Sequence, residues 1–254
     1  MKNIIIILCS VLFIFSCKKE DTPPPPETVD PNASLKEGLV AYYPFNGNVN
    51  DESGNSLNGT IVGNVTFSDN RYFESNKSIK LNSGTSYVKV ADDPKLQLKQ
   101  KMSIYMEFMP EENAVATLIG KRENGIGSQA FQIAINYQSP VVFQLIKGGR
   151  CSNNNLASDW SYTFSDTNIP IMKDCWNYLV TIFDGTSQKV YLNGKLAVNL
   201  PVNFTEMGAC QPSEMRFGYW WTGDPLPFKG KLDEIRIYNR ALTESEIRKL
   251  YKLD

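Results

Sequence analysis

From Gly38 onward the pattern is that of strands nearly throughout, and in Met102–Met109 apolar and polar side chains alternate with a period of two, the pattern of a strand that buries one face. Met102, Ile104, Met106 and Phe108 share one face of the first such run. Trp176–Phe183 is apolar on both faces, as a central sandwich strand must be when both sides are covered. It turns at Asp184-Gly185 into Lys189–Leu192, and Asn193-Gly194 then leads into Lys195–Val198. An Asn-Gly pair between apolar runs is the strongest short hairpin signal. The same patterning predicts strands at 39–45, 59–65, 77–81, 86–90, 115–121, 129–135, 141–147, 214–221 and 231–238. Residues 149–174 read as a long irregular stretch. The total predicts an all-β, two-sheet antiparallel jelly-roll sandwich with one short C-terminal helix. That helix starts at a capping box, Thr243-Glu-Ser-Glu246, and carries Ile247, Leu250 and Tyr251 on one face.

The N-terminal pattern differs. A basic start at Met1-Lys2-Asn3 precedes the apolar run Ile4–Phe15, too short to span a membrane comfortably. The run closes on Ile14-Phe15-Ser16-Cys17, which resembles a bacterial lipobox with Cys17 as the lipidated residue. Lys18-Lys19-Glu20-Asp21 resembles the export signal of Bacteroidetes surface lipoproteins. Residues 1–17 are therefore expected to be a lipoprotein signal peptide, and 18–37, with five prolines, a disordered spacer. Residues 38–254 form the expected folded domain. The resemblance implies an outer-membrane, surface-exposed lipoprotein that meets the membrane only through its N-terminal lipid.

Charge and composition narrow the chemistry. The 254 residues carry 26 basic and 27 acidic side chains, a near balance that argues against nucleic acid as a partner. Histidine is absent, which excludes imidazole acid–base chemistry, His-activated nucleophiles and His-ligated zinc. Three cysteines fall in the folded part, Cys151, Cys175 and Cys210. The odd count fits one disulfide plus a free thiol, or no bridge at all; the strand order places Cys175 and Cys210, and Cys151 with them, at one end of the sandwich, and Cys175 with Cys210 is the expected pair.

Two segments bracket the domain: Gly38–Thr60, with Tyr-Tyr-Pro-Phe-Asn-Gly and Asn-Asp-Glu-Ser-Gly-Asn, and Gly230–Tyr251, with Leu-Asp-Glu-Ile-Arg-Ile-Tyr-Asn-Arg-Ala-Leu. Together they resemble the opening and closing strands of the laminin G-like, concanavalin A-like lectin/glucanase jelly roll. The resemblance implies that the first and last strands pair antiparallel. It also implies that Asp51, Asn55, Asn58 and Asp233 approach one another, and some members of the family hold a structural Ca²⁺ near this junction. The same residues equally suit tight turns. Both readings stand at this point.

Related glucanases carry alternating acids on one strand. Asp233-Glu234 are adjacent and should face opposite sides, and Glu111-Glu112 follow Pro110 in a turn, so the chain reads as non-catalytic. Candidate ligand-binding residues are Arg150, Trp160 and Tyr162 in the irregular stretch, and Trp220 and Trp221 in Phe217–Asp224. Core packing competes for Tyr219 and Trp221, with Trp220 facing out. The expected partner is an extracellular glycan or glycoprotein. A protein-interaction or adhesion module is the alternative, with other surface proteins as partners, and a glycoside hydrolase stands behind both.

Overall fold

The alternating runs fold as strands in a computed structural model that describes residues 30, 32–82, 84–122, 129–136, 140–148, 159–165, 168–208, 213–221 and 223–252. In chain order they are β1 (Leu39–Tyr43), β2 (Gly59–Val62), β3 (Val65–Ser68), β4 (Ser78–Asn82), β5 (Tyr87–Val90) and β6 (Met102–Pro110). They continue as β7 (Ala116–Arg122), β8 (Gln129–Ile135), β9 (Val141–Ile146), β10 (Trp160–Phe164) and β11 (Asn177–Phe183). Then come β12 (Ser187–Leu192), β13 (Lys195–Pro201), β14 (Met215–Phe217), β15 (Lys229–Tyr238) and helix α1 (Glu244–Tyr251).

Two antiparallel sheets face each other. One runs β13-β12-β11-β6-β15-β4-β3, with β1 also paired to β15, and the other runs β10-β9-β8-β7-β14-β5-β2. The bracketing segments meet as expected, with Leu39 opposite Tyr238 and Tyr43 opposite Ile235. Met102, Ile104, Met106 and Phe108 enter the core between the sheets beside Phe143, Phe183 and Phe217. The Asn193-Gly194 turn joins β12 to β13, and both residues take the positive φ that a tight hairpin requires.

A second apolar cluster covers the outer face of the eight-stranded sheet. Ile247, Leu250 and Tyr251 of α1 pack there on Tyr105, Val180, Ile182, Tyr191 and Tyr238. This explains why residues 176–183 are apolar on both faces: the core takes one and the helix the other. Leu35 joins the same cluster at 6% exposure. The compact unit therefore begins at Asn32, and the expected spacer of 18–37 ends earlier than its composition suggested.

Three strand boundaries differ from the pattern. The expected strand 59–65 is split at Gly63, whose φ of 72° turns the chain from β2 in one sheet to β3 in the other. The expected strand 214–221 stops after Phe217, because Gly218 takes φ 83° with no room for a Cβ beside Leu81. The stretch 149–174 contains β10, which pairs with β9 over Trp160–Phe164.

Candidate functional site

Among the described strands, β10 stands at one edge of the seven-stranded sheet. Thr163 is buried, and Ser161 Oγ donates to Gln188 Oε1 in the opposite sheet, so these two side chains point inward. Alternation turns Trp160, Tyr162 and Phe164 outward. Tyr162 is 43% exposed and Phe164 53% exposed. The ring centroids of Trp160 and Tyr162 lie 6.3 Å apart, and those of Tyr162 and Phe164 lie 6.4 Å apart with planes only 11° from parallel. The result is a continuous row of three rings on one edge.

Beside the row is a groove of about 510 Å³ lined by Lys147, Trp160 and Tyr162 on one side and Leu200, Pro201 and Phe204 on the other. It lies where β10 and β13, edge strands of the two sheets, come into contact. Polar groups continue from the row across the same sheet face. Tyr162 sits opposite Gln144, and Gln144 opposite Gln132. Gln144 Nε2 donates to Gln132 Oε1, and Gln132 Nε2 donates to Thr117 Oγ1. An aromatic wall with amides alongside can hold the apolar C–H face of a sugar while bonding its hydroxyls. Phe164, Gln132 and Gln144 were not among the sequence candidates. The alternation Trp-Ser-Tyr-Thr-Phe was the available signal for Phe164.

The second aromatic group divides differently from expectation. Trp220 is buried, not outward-facing: its ring lies over Gly120, where an added Cβ would come within 2.5 Å of it. Tyr219 is also buried and stacks on Tyr87 at 4.7 Å. Trp221 is half-buried under the Arg122 guanidinium, 4.0 Å from its ring centroid. Trp220 is therefore corrected from ligand candidate to packing residue. Trp221 is held by Arg122, apart from the β10 row. Arg150 lies outside the described residues, as do Cys151, Cys210 and the lipobox residue Cys17. Cys175 is exposed, and its expected bridge to Cys210 falls on a residue outside the described ones.

The residues expected to hold Ca²⁺ brace the opening loop by themselves. Asp51 Oδ1 accepts from the Tyr42 and Ser53 amides, and Oδ2 accepts from Ser53 Oγ and the Leu57 amide. Asn58 Oδ1 accepts from the Asp51 amide, while Asn55 presents Nδ2 to Val40 O. The carboxylate is thus saturated by donors, and a cation is attracted by oxygens that are not. Among the described residues no group of three or more acidic, His or Cys side chains has the geometry to hold a metal ion. The donor set does not fit Ca²⁺, and hydrogen bonds do the bracing instead.

Asp233 belongs to a different feature, a cleft of about 600 Å³ on the outer face of the eight-stranded sheet beside α1. Asp233 lies directly opposite Glu107 in the β15–β6 pair, and the ladder then slips before Arg236. At the slip Glu234 takes φ 52°. This bulge corrects the sequence argument: the two adjacent acids, expected on opposite faces, both line the cleft. Tyr42 Oη and Arg236 Nη2 bond Glu234 at 2.7 and 2.8 Å. Tyr105 Oη bonds Glu107 at 2.7 Å, with Arg71 Nη1 at 3.5 Å. Burial, then Glu234 and Glu107, push the Asp233 carboxyl up to about 9. Burial also raises Glu107 against the opposing pull of Tyr105 and Arg71.

These features define a jelly-roll domain with a ring-lined edge. A family model for the concanavalin A-like lectin/glucanases superfamily, in its laminin G-like form, matches residues 82–248, and the chain belongs to that family. Comparison with curated proteins gave no match. Among solved structures the chain is similar to domain 4 of AbnA, a GH43 extracellular arabinanase from Geobacillus stearothermophilus, in complex with arabinotriose. Identity there is 26% and the TM-score 0.65, covering 84% of this chain and 98% of that one. It is also similar to the binding domain of Paraclostridial Mosquitocidal Protein 1, at 19% identity and TM-score 0.66, covering 85% of this chain and 52% of the other. The binding domain of botulinum neurotoxin DC in complex with rat synaptotagmin II matches at 16% and 0.64, covering 86% and 52%. The chain thus spans about half the length of these toxin domains.

Proposed function

We propose that this protein is a non-catalytic surface lipoprotein, anchored through Cys17 in the outer membrane, whose jelly roll binds an extracellular glycan. The observation that carries the reading is the row of Trp160, Tyr162 and Phe164 along the edge strand β10. Rings on alternate residues of one strand offer successive faces to successive sugars of a chain. The arabinotriose complex of the 26% identical arabinanase domain supports a saccharide as the ligand class. Against catalysis, Glu107 and Asp233 are 2% and 3% exposed and bonded to protein groups, which leaves little for a substrate to reach.

Affinity electrophoresis of the purified protein through gels containing arabinan and other polysaccharides tests the reading. Trp160→Ala and Tyr162→Ala should each weaken retention about tenfold, the scale of one lost stacking contact plus its buried apolar area. Retention should survive EDTA, since the opening loop is braced without a cation. Equal retention of wild type and a Trp160→Ala/Tyr162→Ala double variant would reject the row as the site. Turnover of any of these polysaccharides would reject the non-catalytic reading. Lipid labelling that persists in Cys17→Ala would reject the anchor.

A protein partner is the second reading, and one observation favours it. The edge strand β13 exposes Leu196 at 48% and Leu200 at 37%, and Leu200 lines the same groove. Retention by no glycan, together with capture of a surface protein lost in Leu200→Asp, would select this alternative.

A further inference from the structure

The groove beside the β10 row has unlike walls. Trp160 and Tyr162 line one side and also belong to the row, so a sugar stacked on the rings turns an edge into the groove. The facing side is Leu200, Pro201, Val202 and Phe204, with Asn203 among them. Val202 and Phe204 are half-buried and packed on the core, where Phe204 stacks on Phe183 at 5.4 Å. Leu200 stands above them at 37% exposure.

Among the described residues that line it, the groove has few groups to offer a hydroxyl. Ser161 Oγ is spent on Gln188, and Lys147 is itself engaged. The Val202 amide donates to Thr186 O, inside its own sheet. Alternation then turns the amide position of Pro201 outward, and proline has no N–H. A hydroxyl pressed against this wall gives up water and gains no partner. A methyl group in the same place removes apolar surface from water on both sides. The missing donor also weighs against a peptide strand, which would add to β13 through outward N–H groups in register and meet a gap at Pro201.

We infer that the groove selects a sugar with a methyl-bearing edge, as a 6-deoxy or O-acetylated unit has, its ring on Trp160 and Tyr162 and its methyl against Leu200. This rests on the glycan reading of the row and narrows it: the rings hold the sugar, and the β13 wall chooses among sugars. Leu200 is then the residue that sets specificity. The groove volume of about 510 Å³ accommodates one such unit with its substituent.

NMR titration of the full-length protein in detergent tests this with two pairs of ligands. One pair is L-fucose and L-galactose, which differ only by the hydroxyl on C6. The other is acetylated xylo-oligosaccharides and the same material after alkaline deacetylation. The methyl-bearing member should bind about tenfold more tightly, from one buried methyl gained and one stranded hydroxyl avoided. A preference in the first pair alone assigns the groove to a 6-deoxy sugar, and in the second alone to an ester. In Leu200→Asn the preference should disappear while L-galactose binding is kept. Leu196→Asn, on the same strand but outside the groove, should retain it. Equal binding within both pairs, still lost in the Trp160→Ala/Tyr162→Ala variant, would overturn the selectivity and leave the row standing. A preference that survives Leu200→Asn would overturn it as well. So would binding of none of the four ligands by a protein that arabinan retains. Retention by no glycan at all, with capture of a surface protein lost in Leu200→Asp, would overturn the row and the selectivity together.

Discussion

Asp233 shows how far one side chain can depart from its ordinary behaviour when a ladder slips. Its carboxyl is buried opposite Glu107 and next to Glu234, and these push it up to about 9. An unfolded chain releases that proton near ~4. Between those two pH values the folded protein binds a proton that the unfolded one does not, so stability falls as pH rises from about 4 towards 9. Asp233→Asn keeps the acceptor for the Glu234 amide and removes the titration. It should gain stability over wild type as pH rises from 5 to 8, by about 1.4 kcal/mol for each pH unit at most, so several kcal/mol over the range. Thermal unfolding at both pH values checks this, and an equal effect at the two would show that Asp233 is ionised in the fold. Nothing in Leu-Asp-Glu-Ile marks the bulge, because positive φ at Glu234 follows from what β1 and β6 place on either side. Asp51, in contrast, was legible as a residue that organises its loop. Only its partners, four protein donors in place of a cation, needed coordinates.

Elements were read from the sequence in proportion to how locally they are determined. Helix α1 is the clearest case. Thr243 Oγ1 accepts from the Glu246 amide, and Glu246 Oε2 accepts from the Thr243 amide, the reciprocal bonds that the motif predicts. Glu246 also accepts two bonds from Arg240, whose guanidinium reaches back to Ser34 O and Glu37 O. Burial pushes the Glu246 carboxyl up, but the Arg240 and Thr243 bonds outweigh it and hold it at about 2. Its folded value is depressed, so the stability it contributes is present above about 4 and lost as pH falls through about 2. Thr243→Ala should cost about 1 kcal/mol, and Glu246→Gln should cost stability at pH 7 but little at pH 2. Denaturant titrations at the two pH values distinguish them: a Glu246→Gln penalty as large at pH 2 would assign the effect to packing. Strand β10 lies at the other extreme. Its five residues alternate, yet they sit in a polar stretch whose pairing depends on β9 being the available edge.

The compact unit that begins at Asn32 is a sandwich with two apolar layers, one between the sheets and one under α1. Deleting residues 243–254 should uncover Tyr105, Val180, Tyr191 and Tyr238 while leaving both sheets paired. The expected cost is several kcal/mol, on the scale of about 1.5–3 kcal/mol for each large side chain exposed. It should appear as a lower Tm with binding of a hydrophobic dye and retained β circular dichroism. An unchanged Tm would show that the outer layer does not support the fold. Most strand positions, the β12–β13 hairpin and the capped helix were determined by the sequence itself, and the family resemblance implied the pairing of first with last strand. Periodicity and turn chemistry act over a few residues and can be read there. Only the tertiary structure decided that Trp220 is buried while Trp160, Tyr162 and Phe164 form an open row. It alone decided that Asp233 and Glu234 share a cleft, and that Arg71 and Lys252 meet at Tyr72. Each of these depends on what another strand or the helix places opposite a side chain, and that distance along the chain leaves no local pattern.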